Sequence, residues 1–173
     1  MQQTLFDTAP EHAFDPPGFP CAWSPCKQYR YTLWRIFDNV VPLRYVLWVM
    51  LNPSTADENE DDPTIRRCVR FSQDWGFDAL CVCNLFAFRA TDPAEMKASA
   101  DPVGDDNDYW LAKLSTDAAL TIAAWGEHGT FQNRERAVRL ILPDLYCLSL
   151  NKGGQPGHPL YLKGDLKPRP YPI

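Results

Sequence analysis

One apolar run constrains the fold of this chain more than any other stretch: Val46 to Leu51, which reads Val-Leu-Trp-Val-Met-Leu. Such a run predicts a strand that is buried on both faces, as in a parallel sheet. It stops at Asn52-Pro53, because proline lacks an amide hydrogen and cannot continue the ladder. Ligands of open α/β sheets lie beyond the carboxyl ends of strands, so Asn52 stands where chemistry is expected. A simple Asn-Pro turn is the alternative.

Later apolar runs follow the same pattern, each ending in a polar or glycine-containing motif. They are 79–83 before Asn84, 118–124 before Trp125-Gly126, and 145–150 before the loop that holds His158. Helical periodicity between the runs predicts an α/β fold, a three-layer α/β/α arrangement with a four-stranded, mainly parallel central sheet. Right-handed crossovers would bring the strand ends to one edge of that sheet. Asn52, Asn84, Trp125 and His158 are therefore predicted to line one pocket.

The N-terminal part of the chain differs from the rest. Residues 1–28 carry prolines at intervals and show no periodicity, which predicts an irregular arm, followed by a single α/β domain over 29–173. Residues 29–37 alternate polar and apolar side chains, which is typical of a half-buried strand. We expect this stretch to add an antiparallel hairpin with 40–51, or extra strands, at one side of the sheet.

The first residues of the arm contain a short motif, Gln2-Gln-Thr-Leu5-Phe6. It resembles the peptide by which bacterial proteins bind the replicative sliding clamp. The resemblance implies a clamp contact through Gln2, Leu5 and Phe6. The alternative is that Leu5 and Phe6 pack against the protein's own sheet.

Charge and composition narrow the classes of function. The net charge of −5 argues against a large non-specific nucleic-acid surface, since affinity for phosphate comes from Lys and Arg. Arg66, Arg67 and Arg70 form a local candidate for nucleic-acid contacts, with a solvated helix face as the alternative. The sequence has no apolar stretch long enough to span a membrane and no signal-peptide pattern, so we expect a cytoplasmic protein with no membrane contact.

Neither a metal nor a cofactor is predicted. The chain has six cysteines, which we expect to be thiols, and Cys21 and Cys26 lack a second close pair that would complete a metal site. It has three histidines, at positions 12, 128 and 158, and we do not expect a His-based metal site. No glycine-rich phosphate-binding loop and no Gly-x-Ser-x-Gly elbow is present.

Four strand-end motifs occur in a characteristic order: Leu51-Asn-Pro-Ser54, Cys83-Asn-Leu-Phe86, Ala124-Trp-Gly126 and Gly157-His-Pro159. This order, over roughly residues 43–164, resembles the uracil-DNA glycosylase superfamily. In that superfamily the first motif orients a water molecule, a later Asn binds the base edge, and a late His supports the leaving base. The chain resembles still more closely a bacterial and phage family known only as a domain of unknown function.

The resemblance implies roles for individual residues. Asn52 and His158 would be catalytic; Pro53, Ser54, Asn84, Phe86, Trp125 and Gly126 would bind the base. Because an amide cannot take a proton at neutral pH, Asp57, Asp61 or Asp62 is a candidate general base.

The implied function is hydrolysis of an N-glycosidic bond, which releases a damaged or modified nucleobase from DNA or a nucleotide. The chain departs from the superfamily pattern, since Asn stands at position 52 where the most active uracil enzymes have Asp, and no serine follows His158-Pro159. These departures and the acidic charge argue against duplex DNA. Two alternatives stay open: a catalytically silent adaptor that binds a base, nucleotide or DNA, and a metal-dependent nucleotide hydrolase.

Overall fold

The computed structural model of the protein describes residues 20–142 and 144–172. The predicted clamp-binding residues Gln2, Leu5 and Phe6 lie outside the described residues, as does most of the predicted N-terminal arm.

The described chain is an α/β fold with seven strands and four α-helices. The strands are β1 (Cys21–Trp23), β2 (Arg30–Ile36), β3 (Tyr45–Met50), β4 (Ala79–Asn84), β5 (Leu120–Ala123), β6 (Tyr146–Cys147) and β7 (Arg169–Pro170). The helices are α1 (Pro63–Asp74), α2 (Pro93–Ala98), α3 (Asn107–Asp117) and α4 (Arg134–Ile141). Two 3₁₀ segments, Glu127–Asn133 and Pro159–Tyr161, follow β5 and β6. No helix in the described ranges is long and apolar enough to cross a membrane.

All seven strands form one mixed sheet in the order β1-β2-β4-β3-β5-β6-β7. Strand β3 is parallel to β4 on one side and to β5 on the other, and β5 is parallel to β6. The remaining pairs, at both ends of the sheet, are antiparallel. This places the carboxyl ends of β3, β4 and β5 side by side.

The expected hairpin between residues 29–37 and 40–51 is wrong. Both edges of β3 are already occupied by parallel neighbours, so β2 pairs with the outer edge of β4, where Leu33 is opposite Val82. On its other edge β2 pairs with β1, which belongs to the segment expected to be irregular.

Strand β3 is buried along its whole length, as its apolar sequence predicts. Alternate side chains enter two different cores. Leu47 and Val49 belong to the core that includes Leu111 of α3, whereas Val46 and Trp48 belong to the core formed with α1. The helices therefore cover both faces of the sheet.

The start of helix α1 has the residues typical of a helix N-terminus. Asp62 is its N-cap, with Oδ1 accepting a hydrogen bond of 2.8 Å from the backbone N–H of Ile65, and Pro63 occupies the first helical position. On the sheet side, Trp48 donates its indole N–H to Ser72 Oγ at 3.0 Å and stacks on Trp75. These contacts hold the C-terminal half of α1 against β3.

Candidate functional site

A cavity of about 690 Å³ opens at the carboxyl ends of the central strands. Its wall combines residues from the ends of β3 and β4, the turn after β5, the first turn of α1, and the loop that leads to Pro159–Tyr161. Asn52, Asn84, Trp125 and His158 all line it. The structure thus brings these four residues together, and the parallel pairing of β4, β3 and β5 is the reason.

The side chain of Asn52 is fixed by hydrogen bonds to backbone. Its Nδ2 donates to the carbonyl oxygens of Pro53 at 3.0 Å and Ala90 at 2.8 Å. Since an amide nitrogen has two hydrogens, both are used, and Oδ1 is the atom that remains to accept a hydrogen bond from a ligand or a water. The side chain is therefore oriented as an acceptor.

Asn84 is the last residue of β4 and is 1 % exposed. Its backbone carbonyl accepts a hydrogen bond of 2.9 Å from the amide of Asn107, which anchors the strand end against α3. The side-chain Nδ2 of Asn84, by contrast, is buried without an acceptor among the described residues. A buried donor without an acceptor is uncommon, and one that lines a cavity is available to a ligand.

His158 begins the 3₁₀ segment Pro159–Tyr161 and caps it, because its Nδ1 accepts a hydrogen bond from the backbone N–H of Leu160 at 3.4 Å. With Nδ1 as the acceptor, the neutral ring carries its proton on Nε2. Burial lowers the pKa of His158, and the charge of Asp62 opposes this effect without reversing it. The cavity therefore contains a neutral imidazole whose Nε2–H is a donor.

The loop that carries His158 is held by the turn after β5. Trp125 donates its indole N–H to Gln155 Oε1 at 2.9 Å, and the N–H of Gly126 donates to the carbonyl of Pro156 at 3.0 Å. Gly126 has φ of 72°, a conformation that glycine adopts without strain. The Trp-Gly pair therefore positions His158 as well as forming part of the cavity wall.

The three acidic candidates are separated by the structure. Asp62 lines the cavity. Asp61 instead forms an ion pair of 2.7 Å with Arg35, and Asp57 accepts hydrogen bonds from the backbone N–H groups of Asn59 and Glu60, outside the cavity wall. Only Asp62 of the three is placed to act on a ligand in the cavity.

Two other predicted base-binding residues do not line the cavity. Phe86 is fully buried in the core and packs against Phe131, with 5.7 Å between ring centroids. Pro53 is also buried, whereas Ser54 is in the cavity wall. The chain after Asn84 turns the ring of Phe86 into the core, away from the cavity, so the structure does not support this residue as a stacking surface.

None of the three arginines predicted to contact nucleic acid lines the cavity. Arg67 donates to the carbonyl oxygens of Pro159 and Leu162, so it ties α1 to the loop after His158. Arg66 and Arg70 are exposed on α1. Arg67 thus has a structural role in positioning the site, whereas Arg66 donates to the carbonyl of Asp61 and Arg70 forms an exposed ion pair with Asp74.

Several residues of the cavity were missed by the sequence analysis. They are Arg30, Thr64, Glu127, His128, Asn151 and Tyr161. Tyr161 is 83 % exposed and lies 5.5 Å from His158 between ring centroids, so it supplies an aromatic side chain at the rim. Arg30 is 2 % exposed and belongs to a strand whose alternating pattern predicts an outward-facing charge. Nothing local in the sequence signals its burial.

All six cysteines are free thiols, as expected. Within residues 20–142 and 144–172, no cluster of three His, Cys, Asp or Glu side chains could hold a metal ion. These residues therefore offer no ligand set to support the alternative of a metal-dependent nucleotide hydrolase.

The family model described as "Protein of unknown function (DUF1643)" matches residues 30–160. The chain belongs to the DUF1643 family. The match begins at Arg30 and extends two residues beyond His158, so it covers most of the cavity. No curated protein and no solved structure gives a significant match to the chain. The predicted resemblance to a family of unknown function is confirmed, and the resemblance to the uracil-DNA glycosylase superfamily stays a prediction.

Proposed function

We propose that this DUF1643 protein hydrolyses an N-glycosidic bond and releases a damaged or modified nucleobase from DNA or a nucleotide. One observation carries the proposal: the buried Nδ2 of Asn84 has no acceptor within the described chain, and Asn84 lines a cavity that also contains Asn52 and His158. A base edge presents oxygen and nitrogen acceptors to such a donor. The hydrogen bonds of Asn52 leave its Oδ1 as an acceptor, and the hydrogen bond of His158 leaves its Nε2–H as a donor.

Breaking an N-glycosidic bond leaves positive charge on the sugar and negative charge on the base. The Nε2–H of neutral His158 is a suitable donor to the oxygen of the departing anionic base. Burial keeps His158 neutral, so the donor keeps its proton and stabilises the anion by a hydrogen bond.

The attacking water requires an acceptor and a base. Asn52 Oδ1 accepts a hydrogen bond from the water and directs its oxygen toward C1 of the sugar. As the new C–O bond forms and the C–N bond breaks, one proton of the water must leave. Asp62 lines the same cavity and takes it, since an amide cannot. The base leaves as an anion and is protonated by solvent.

A second function is favoured by one feature of Asn52. Both amide hydrogens of Asn52 are bound to backbone carbonyls, and an amide cannot accept a proton as a carboxylate can. A protein that binds a base, a nucleotide or DNA without hydrolysing it would need only this fixed geometry. This adaptor predicts that substitutions at Asn52 and His158 alter binding alone.

DNA is one candidate partner and a free nucleotide is the other. Exposed Arg66 and Arg70 offer few phosphate contacts, so any DNA affinity is expected to be weak and only shallowly dependent on salt. The sliding-clamp contact through Gln2, Leu5 and Phe6 is a further proposal that lies outside the described residues.

The test is a screen of oligonucleotides and nucleotides that carry varied bases, with free base detected by mass spectrometry. Wild type is compared with Asn52→Ala and His158→Ala, and Lys113→Ala, at an exposed position of α3 outside the cavity wall, serves as the control. Release by wild type and by the control, but not by the two cavity variants, supports hydrolysis. Binding of a base without release supports the adaptor.

A further inference from the structure

We infer that the cavity takes a nucleobase-containing ligand that carries a negatively charged oxyanion, a phosphate or a carboxylate, and that Arg30 binds this group at the buried wall of the cavity. The inference rests on the proposed function for the base and adds the charged group that accompanies it. It assigns to the buried Arg30 a role that the proposed hydrolysis does not use.

Arg30 is a buried cation without a matching anion. One terminal nitrogen donates to the carbonyl oxygen of Ala56, whereas Nε is buried with no acceptor among the described residues. Within the same residues, Arg30 forms no ion pair with a carboxylate. Burying a charge in this way is unfavourable unless an opposite charge completes the site.

Burial lowers the pKa of the Arg30 guanidinium to about 10, so the side chain is still charged at neutral pH. The negative charge of Asp62 opposes that shift, whereas the positive charges of Arg89 and Arg35 add to it. Arg30 is thus a cation at the cavity wall, and two further cations, Arg89 and Arg35, act on it.

A second donor in the same wall also lacks an acceptor. Asn84 Nδ2 and Arg30 Nε are both buried and both unpaired, and both residues line the cavity. In the proposed function the base edge bonds to Asn84 Nδ2, so Arg30 Nε requires a second acceptor group of the same ligand. Ionised carboxylates and phosphates are such groups, and their hydrogen bonds to a guanidinium are stronger than those of neutral oxygens.

The first turn of α1 favours the same kind of ligand. Pro63, Thr64 and Ile65 line the cavity, so the positive end of a 12-residue helix faces it. Asp62 offsets part of this potential, but its Oδ1 is bound to the N–H of Ile65. The cavity volume of about 690 Å³ lies in the ordinary range for small-molecule sites, roughly 300–1,000 Å³.

Calorimetric titration of the full chain with two matched pairs of probes tests the inference. One pair is deoxyuridine 5′-monophosphate and deoxyuridine, and the other is uracil-5-carboxylate and uracil. We expect the charged member of at least one pair to bind tenfold or more tightly than its neutral partner. The pair that shows the difference identifies the oxyanion as a phosphate or as a carboxylate.

Variants assign the preference to Arg30. The preference is the ratio of the affinities for the charged and the neutral probe. In Arg30→Met this ratio is expected to fall to twofold or less. In Arg30→Lys, which keeps a charge but lacks Nε–H, the ratio is expected to be at least threefold lower than in wild type. If Arg30→Met does not fold, Arg30→Lys carries the test. Arg134→Lys is the matched control, because Arg134 is also buried but is bound to the Leu85 carbonyl and to Asp108 outside the cavity.

Three results would overturn the inference: equal binding within both pairs, no binding of any probe at millimolar concentration, or an unchanged preference in the Arg30 variants. The proposed hydrolysis fails separately. If the charged probe binds through Arg30 and no substrate of the wider screen releases its base, the anion site stands and the hydrolysis does not.

Discussion

The side-chain amide of Asn52 donates to the backbone carbonyl of Ala90 at 2.8 Å, and this contact joins the end of β3 to the segment that follows β4. A second hydrogen bond, to the carbonyl of Pro53, uses the other amide hydrogen. The position therefore requires two donors on one side of the side chain and offers an acceptor on the other. A carboxylate has no donors, so this environment accounts for asparagine at position 52 in physical terms.

The first prediction concerns Asn52→Asp. A carboxylate would face two backbone carbonyls, so we expect the free energy of unfolding at pH 7 to fall by roughly 1–3 kcal/mol. Asn52→Ala, which loses the bonds without introducing a charge, should lose less. Because the repulsion raises the pKa of the new carboxyl in the folded state, lowering the pH toward 4 protonates it and should restore stability relative to Asn52→Ala. Denaturant unfolding of both variants at the two pH values checks this, and a difference that does not change with pH would contradict it.

The second prediction compares two buried asparagines, Asn84 and Asn107, which are 1 % and 0 % exposed. The amide of Asn107 donates to the carbonyls of Asn84 and Leu85, so Asn107→Ala should destabilise the fold by roughly 1–3 kcal/mol. The Nδ2 of Asn84 has no acceptor in the described chain, so Asn84→Ala should cost less than about 1 kcal/mol. Thermal and denaturant unfolding measure both.

Ligand binding should be affected in the opposite order, with Asn84→Ala causing the greater loss. Asn84→Ala is expected to abolish binding of the best probe, while Asn107→Ala keeps it in the folded protein, because only Asn84 lines the cavity. Greater loss of stability in Asn84→Ala than in Asn107→Ala would mean that Asn84 is a structural residue.

The third prediction is a pH dependence that comes from His158. Burial lowers its pKa in the folded protein, so the unfolded chain takes up a proton near its ordinary pKa of about 6.5 while the folded chain does not. Stability associated with neutral His158 is therefore fully present above pH 6.5 and is lost as the pH falls through the lowered folded pKa. His158→Gln lacks this loss.

The difference in melting temperature between wild type and His158→Gln should thus be smaller at pH 5.5 than at pH 8. Asp62 acts in the opposite direction but does not reverse the shift. A difference that grows as the pH falls would show that folding favours the charged imidazole, and a neutral donor would then be excluded.

The buried strands and their polar ends were predictable because both depend on local patterns. An apolar run that stops at a proline, as at Asn52-Pro53, indicates a strand end without any knowledge of its neighbours. Parallel pairing then brings the ends together, and Asn52 and Asn84 lie in one cavity wall.

Long-range pairing decided what the local pattern could not. The alternation in β2 does not reveal that this strand pairs with β4, nor that Arg30 at its start is buried against Ala56. Phe86 and Phe131 both have apolar rings, so the sequence does not show whether either ring lies in the core or in the cavity wall. The packing of the two rings against each other shows that Phe86 faces away from the cavity.

The three aspartates illustrate the same limit. Asp57, Asp61 and Asp62 are close in the sequence, but an ion pair with Arg35 occupies Asp61 and local backbone bonds occupy Asp57. The start of α1 is what turns Asp62 alone toward the cavity.

The most direct test of the central claim is the rate at which free base appears from the best-binding substrate of the screen, measured in a single turnover by mass spectrometry. We predict release by wild type and a decrease of roughly 100-fold or more in Asn52→Ala and His158→Ala, with substrate binding reduced less than tenfold. Tight binding by wild type with no free base would contradict hydrolysis, and so would equal release by wild type and both variants.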